Sequence, residues 1–232
     1  MNRHIGTVVI ISVLFFALGG VSAIAQQAET QRVLDAAEVF QAIIGIPEHE
    51  VPTALMRVTS GIAILPGVKR IGFGIGVQRG HGILLVRQSD GGWSRPLFLT
   101  LTGGSIGWQV GIQSADIVLF FRSRDSVERV LRGKYTLGVD ASVAAGSLGR
   151  EAAAATDQDL KAEIYSYSRT RGIFAGFALQ GAALDVDYGA NTAYYGKEIN
   201  QPSEIWAGTG LPTPDSASRL QRAIAAYEKT LQ

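Results

Sequence analysis

Between Ser60 and Phe121 the chain is a succession of short apolar runs separated by glycine and polar turn residues. GIAILP begins at 61, IGFGIGVQ at 71, GILLVR at 82, PLFLTLT at 96, SIGWQVGIQ at 105 and ADIVLFF at 115. Runs this short, rich in Ile, Val, Leu and Phe, read as strands, since an amphipathic helix would need a longer pattern of period 3.6. Arg79-Gly80-His81-Gly82 and Ser89-Asp90-Gly91-Gly92 read as the reversals between them, because glycine takes the positive φ that a tight turn demands. Successive antiparallel hairpins are the simplest arrangement.

Small and large residues alternate in Gly74-Ile75-Gly76-Val77-Gln78, in Gln109-Val110-Gly111-Ile112-Gln113 and in Gly176-Phe177-Ala178-Leu179-Gln180. In a strand the small residues then share one face, where a second backbone can come close. Gly76, Gly111 and Gly176 are therefore expected at crowded positions.

The remaining segments flank this sheet. Val33, Ala37, Phe40 and Ile44 recur at helical spacing, which predicts an amphipathic helix over residues 30 to 44, stopped by Gly45 and Pro47. Asp125 and Glu128 have capping-box spacing ahead of Val127, Val130 and Leu131, and Gly133 closes that short helix. Strand-like runs return at Tyr135 to Ala145, at Ala162 to Ser168, and as a hairpin or one bent strand over Gly172 to Val186. Pro202, Pro212 and Pro214 mark a connector, and Ser218 to Leu231 is a closing helix with Leu220, Ile224 and Tyr227 on one side.

The first residues have the form of a secretory signal, with Arg3, an apolar run from Ile5 to Leu18 and an A-x-A site at Ala23-Ile24-Ala25. Cleavage after Ala25 is expected, which makes the protein periplasmic or secreted. Of the 232 residues about 207 would remain, enough for one domain over residues 26–199 with a connector and helix over 200–232. The absence of cysteine excludes a disulfide framework, a thiolate metal site and a cysteine nucleophile.

Charge is unevenly spread. Residues 26 to 56 hold one base and five acids, residues 57 to 134 eleven bases and four acids, and residues 135 to 232 eight bases and eleven acids. A middle segment of net +7 between acidic flanks either meets an anionic partner or neutralises those flanks within the fold.

Catalytic signatures are weak. GFGIGVQRGHG places Arg79 where a dinucleotide fingerprint needs its last glycine, and no Walker or G-x-S-x-G motif occurs. Downstream of Ala25 the histidines are His49 and His81, and neither has a partner at a telling spacing. Asp185 and Asp187, with Asp157 or Asp159, could hold a hard cation, but exposed strand-edge charges explain them as well. No enzyme activity, no cofactor and no metal are expected.

Four stretches in order, at 60–87, 92–121, 133–150 and 166–196, resemble the SYLF domain, known also as the actin-binding domain of a yeast endocytic protein. The resemblance runs from about Val33 to Tyr195 and implies a non-catalytic module that binds phosphoinositides and other anionic lipids in eukaryotic relatives and actin filaments in fungal ones. Unlike relatives that use the N-terminal end to enter membranes, this chain has an acidic helix there, with Asp35 and Glu38 on its polar side.

The expected fold is α+β, an antiparallel glycine-rich sheet system, sandwich or barrel-like, with N-terminal and C-terminal helices. The expected function is recognition of anionic phospholipid headgroups at a membrane surface rather than of nucleic acid. An envelope protein partner is the alternative. The candidate lipid-binding residues are Lys69, Arg70, Arg79, Arg87 and Arg95, with Arg169 and Arg171 as a second cluster, since arginine's planar fork suits phosphate.

Overall fold

The computed structural model describes residues 3–45, 51–73, 75–106, 111–133, 135–145, 161–170, 179–206 and 210–231. Four long strands dominate: β1 (Gly61–Phe73), β2 (Ile75–Val86), β3 (Leu97–Ile106) and β4 (Gly111–Phe121). With β5 (Tyr135–Thr136), β6 (Val143–Ala145), β7 (Ile164–Thr170) and β8 (Ala183–Val186) they form one curled eight-stranded sheet in the order β5-β8-β3-β2-β1-β4-β7-β6. All neighbours pair antiparallel except β6 and β7. The α+β, largely antiparallel architecture anticipated from the glycine-punctuated runs is the one observed.

Helix α1 (Arg3–Ile44) includes the stretch expected to be helical over residues 30 to 44. Val33, Ala36, Phe40 and Ile43 are fully buried, at the spacing that lines one helical face. Each such large side chain contributes about 1.5–3 kcal/mol relative to exposure, so this face and not the intrinsic propensity holds the helix in place. It packs on the sheet and against the closing helix α6 (Asp215–Thr230), where Leu220 and Ile224 are buried and Tyr227 meets Phe40 edge-on at 6.0 Å. The short helices are α2 (Thr53–Val58), α3 (Arg124–Leu131), α4 (Tyr188–Tyr195) and α5 (Ser203–Trp206).

Several local expectations are corrected. The reversal between β1 and β2 lies between Phe73 and Ile75, whereas Arg79-Gly80-His81-Gly82 runs through the middle of β2. Neither Gly80 nor Gly82 has positive φ. A Cβ on Gly82 would stand 2.3 Å from the Ile64 carbonyl oxygen and one on Gly80 2.6 Å from Val68 Cγ2, so these glycines admit a neighbouring strand. The turn at 89–92 is as expected: Gly91 has φ 85°, and Asp90 Oδ1 accepts from the Gly92 amide at 2.8 Å. Ser123, not Asp125, caps α3, accepting from the Ser126 amide at 3.1 Å. The run expected as one strand from Tyr135 to Ala145 is broken by a turn at residues 138–140, where Gly138 has φ 78°. Gly176 and the first part of the expected hairpin, residues 172–178, lie outside the described residues, and of the rest Ala183–Val186 forms β8.

One irregularity sets which side chains reach the site. β1 carries an extra residue relative to both neighbours: Leu65 pairs with Ile117 and Val68 with Ala115 on β4, while Ile64 pairs with Ile83 and Lys69 with Arg79 on β2. A bulge of one residue inverts side-chain parity beyond it. Lys69 and Ile71 therefore join the face of Ile62 and Ile64, which is the face under α1, and Arg70 points to the other side. Gly67 sits in the bulge with φ 58°, and its amide donates to Asp116 Oδ1 at 2.9 Å.

Candidate functional site

A groove of about 660 Å³ lies between α1 and the free end of the β1–β2 hairpin. Ala28, Arg32 and Asp35 line its helical wall, and Lys69, Arg79 and His81 stand on the sheet side with Ile71 and Val77. Lys69 and Arg79 are directly opposed across the two strands, and opposed residues of an antiparallel pair project from the same face with Cβ atoms about 5 Å apart. Both are exposed, and among the described residues neither is held in an ion pair. Two like charges in this position repel each other, and they are best satisfied by an anion shared between them.

Arg32 adds a third cation. It pairs with Glu29 one helical turn earlier and stacks over the Phe98 ring at 5.8 Å. Burial pushes the Glu29 carboxyl above its ordinary range, with Arg32 pulling the other way. His81 places Nδ1 3.6 Å from Asp187 Oδ2, an ion-pair distance too long for a hydrogen bond. Burial lowers the His81 pKa, Arg32 and Arg79 add to the effect, and Asp187 opposes it. Asp187 is not the strand-edge charge expected from the sequence: its Oδ1 accepts from the Ala190 amide at 3.0 Å and caps α4.

A histidine beside a carboxylate invites comparison with hydrolase dyads, but among the described residues lining this groove there is no serine, and a base needs its nucleophile within hydrogen-bond reach. Among the described residues no group of three or more His, Asp or Glu could hold a metal ion. What the groove offers is the opposed Lys69–Arg79 pair beside apolar surface, with Arg32, paired to Glu29, and Asp35 on the helical wall.

The remaining candidates are dispersed. Arg70 occupies the opposite face of β1, in register with Gln78 and Gln113. Arg169 shares the face of Lys69 but is two strands away and binds Asp116 Oδ2 at 2.8 Å. At the far end of β2, Arg87 donates to the carbonyls of Thr59, Gly91 and Met56, pairs with Glu228 and lies 4.3 Å from the Trp93 ring. Arg95 donates to Thr213 Oγ1 at 2.8 Å and to the Ile205 carbonyl at 3.4 Å. Arg171 lies outside the described residues. The structure thus joins Lys69 and Arg79, adds Arg32 from a distant segment, and adds His81, which shares the face of Arg79 two residues along β2 but was expected in a turn.

A family model described as "Ysc84: Las17-binding protein actin regulator" matches residues 102–227. The chain belongs to the Ysc84 family, whose domain is the SYLF domain. LAS seventeen-binding protein 3 of Saccharomyces cerevisiae is 34% identical over 170 residues, covering 72% of this chain and 37% of the relative. Protein YSC84 of the same yeast is 32% identical over 180 residues, 76% of this chain and 38% of its own length. The human SH3 domain-containing YSC84-like protein 1 is 30% identical over 182 residues, 78% and 52% respectively. The chain therefore spans between about a third and a half of the curated Ysc84 relatives it matches.

Proposed function

We propose that this protein is an exported, non-catalytic module that recognises anionic phospholipid headgroups at a membrane surface. The observation carrying the reading is the exposed Lys69–Arg79 pair, opposed in register and flanked by Arg32, at the mouth of an open groove. A phosphodiester placed between the two side chains would relieve their repulsion and take paired hydrogen bonds from the guanidinium. Headgroup attraction of about 1 kcal/mol per base near an anionic surface, fading with salt, makes the +7 middle segment useful as a steering field. Export is supported by the course of α1: Ala23 and Ile24 of the expected cleavage site are exposed, whereas the Gln26 side chain reaches the Tyr194 carbonyl.

The test is co-sedimentation with vesicles. Protein should be retained by vesicles containing phosphatidylglycerol or cardiolipin, much less by pure phosphatidylcholine, and released as ionic strength rises. Lys69→Gln with Arg79→Gln should weaken retention without unfolding the domain. Indifference to every anionic vesicle would favour the second reading, a protein-interaction module, which the names of the Las17-binding relatives support.

A further inference from the structure

The apolar residues of the long strands divide into two populations. Ile62, Ile64, Ile83, Val118 and Phe120 are fully buried under α1. Toward the hairpin end, Val77, Ile71 and Ile112 are 63%, 56% and 76% exposed. These three are not scattered. Val77 pairs with Ile71 and Ile71 with Ile112, so they form one row across β2, β1 and β4. Directly opposed residues share a face, and residues two apart on a strand share it too. The apolar row therefore stands on the face of Lys69 and Arg79, about 7 Å further toward the hairpin end at about 3.4 Å per residue. On β4 the residue opposite Lys69 is Ser114, so the row behind the apolar one is basic and polar without an acid.

A row of β-branched side chains left bare across three neighbouring strands is the kind of surface that folded proteins cover. Its occupant must accept hydrocarbon at the tip and anions one step behind. A bilayer with anionic lipids has that layering, with acyl chains below and phosphates above. We infer that the row Val77–Ile71–Ile112 inserts beneath the headgroups of an anionic membrane while Lys69 and Arg79 engage the phosphates, which fixes the hairpin end as the end that docks. This inference rests on the lipid-binding reading and adds the depth and orientation of binding.

The sequence supplies a clean way to test it, because the chain contains no cysteine. Ile112→Cys in the full chain creates a unique attachment point for an environment-sensitive fluorophore, and Ser89→Cys does so at the exposed turn following β2. With vesicles of phosphatidylglycerol in phosphatidylcholine, the Ile112 label should shift to the blue and be quenched by nitroxides on the acyl chains, and the Ser89 label should do neither. Separately, Ile71→Thr, Val77→Thr and Ile112→Thr together keep β-branching and strand propensity while removing apolar surface. That triple variant should retain the wild-type circular dichroism and lose at least about tenfold in vesicle affinity.

If wild-type protein sediments with the vesicles while the Ile112 label stays in water, or the triple variant binds as wild type, insertion is wrong and headgroup recognition stands. If wild-type protein ignores anionic vesicles altogether, both readings fall together. Loss of self-association in the triple variant, without change in vesicle binding, would instead make the row a contact between copies of the chain.

Discussion

The Asn191 side chain extends the β3–β8 ladder by one step at Phe98, whose carbonyl already accepts from the Asp187 amide at 2.9 Å: its Oδ1 accepts from the Phe98 amide at 2.9 Å and its Nδ2 donates to the Phe98 carbonyl at 3.2 Å. Nδ2 also donates to the Asp187 carbonyl at 2.7 Å. One buried carboxamide thus pins α4 to the end of β3 and holds Asp187 where it can face His81.

Replacing this side chain should be costly. Asn191→Leu fits a similar volume but leaves the buried Phe98 amide without its partner, while the Phe98 carbonyl keeps the Asp187 amide at 2.9 Å, and should destabilise the fold by about 1–3 kcal/mol. Asn191→Asp keeps the acceptor yet loses both donated bonds and buries a charge, so it should be at least as harmful. Urea denaturation midpoints measure both. A wild-type midpoint for either variant would show that α4 is held by its aromatic contacts alone.

The glycines of β2 make a second prediction. Gly82→Ala brings a methyl against the Ile64 carbonyl at 2.3 Å, a backbone neighbour that cannot swing aside, and should cost about 1–3 kcal/mol. At Gly104 the nearest atom to an added Cβ is the Gly76 carbonyl at 4.0 Å, so Gly104→Ala should stay within about 0.5 kcal/mol of wild type. Equal effects at both positions would contradict the close approach of β1 to β2.

The strands and both terminal helices were legible because short apolar runs and a period of 3.6 survive locally, as Ile83 to Val86, buried on both faces, and Val33 to Ile44 show. Gly80 and Gly82 misled, since glycine signals either a positive φ or a close neighbour, and only the fold tells which. Lys69 and Arg70, adjacent on a strand, must take opposite faces, but the bulge at Gly67 decides that Lys69 is the one under α1, and that bulge is held by Asp116, 49 positions away. Helix α4 did leave a trace, an Asp187 cap and a Gly196 with φ 64° at its end, hidden among tyrosines that read equally well as strand. Arg32 carried no pattern that could join it to Lys69, whereas His81, two residues from Arg79, was hidden by the expectation of a turn there.

Arg87 should behave as a structural residue. Its guanidinium gathers three backbone carbonyls and Glu228 from three segments over the Trp93 ring, and lysine lacks the planar fork to do the same. Arg87→Gln and Arg87→Lys are each expected to lower stability by about 2 kcal/mol, while vesicle retention per folded molecule stays unchanged. Lys69→Gln with Arg79→Gln should show the converse, a stability change within about 0.5 kcal/mol and weakened retention. Normal stability with lost vesicle binding in the Arg87 variants would move the lipid site to the other end of β2.

The last prediction concerns pH and follows from the position of His81. Its pKa is lowered below 6.5, chiefly by burial and then by Arg32, so the unfolded chain takes the proton more readily than the folded one. The corresponding stability is full above pH 6.5 and declines as pH falls through the folded value. Glu29, raised above 4.5 by burial, works in the opposite sense: its contribution is full below 4.5 and is lost as pH rises through the folded value. The difference between wild type and His81→Gln isolates the histidine, because Glu29, Arg32, Lys69, Arg79 and Asp187 remain in both. Once protonated, His81 adds a charge to the Lys69–Arg79–Arg32 group, and a nearby anionic surface favours that proton. Vesicle retention of the wild type should therefore rise by about fivefold relative to His81→Gln as pH falls from 7 towards 5, the worth of about one further base at an anionic surface. Stability should move the other way, with wild type losing ground against His81→Gln over the same range. Parallel pH profiles for the two proteins, in both sedimentation and denaturation, would place His81 outside the anion-binding group.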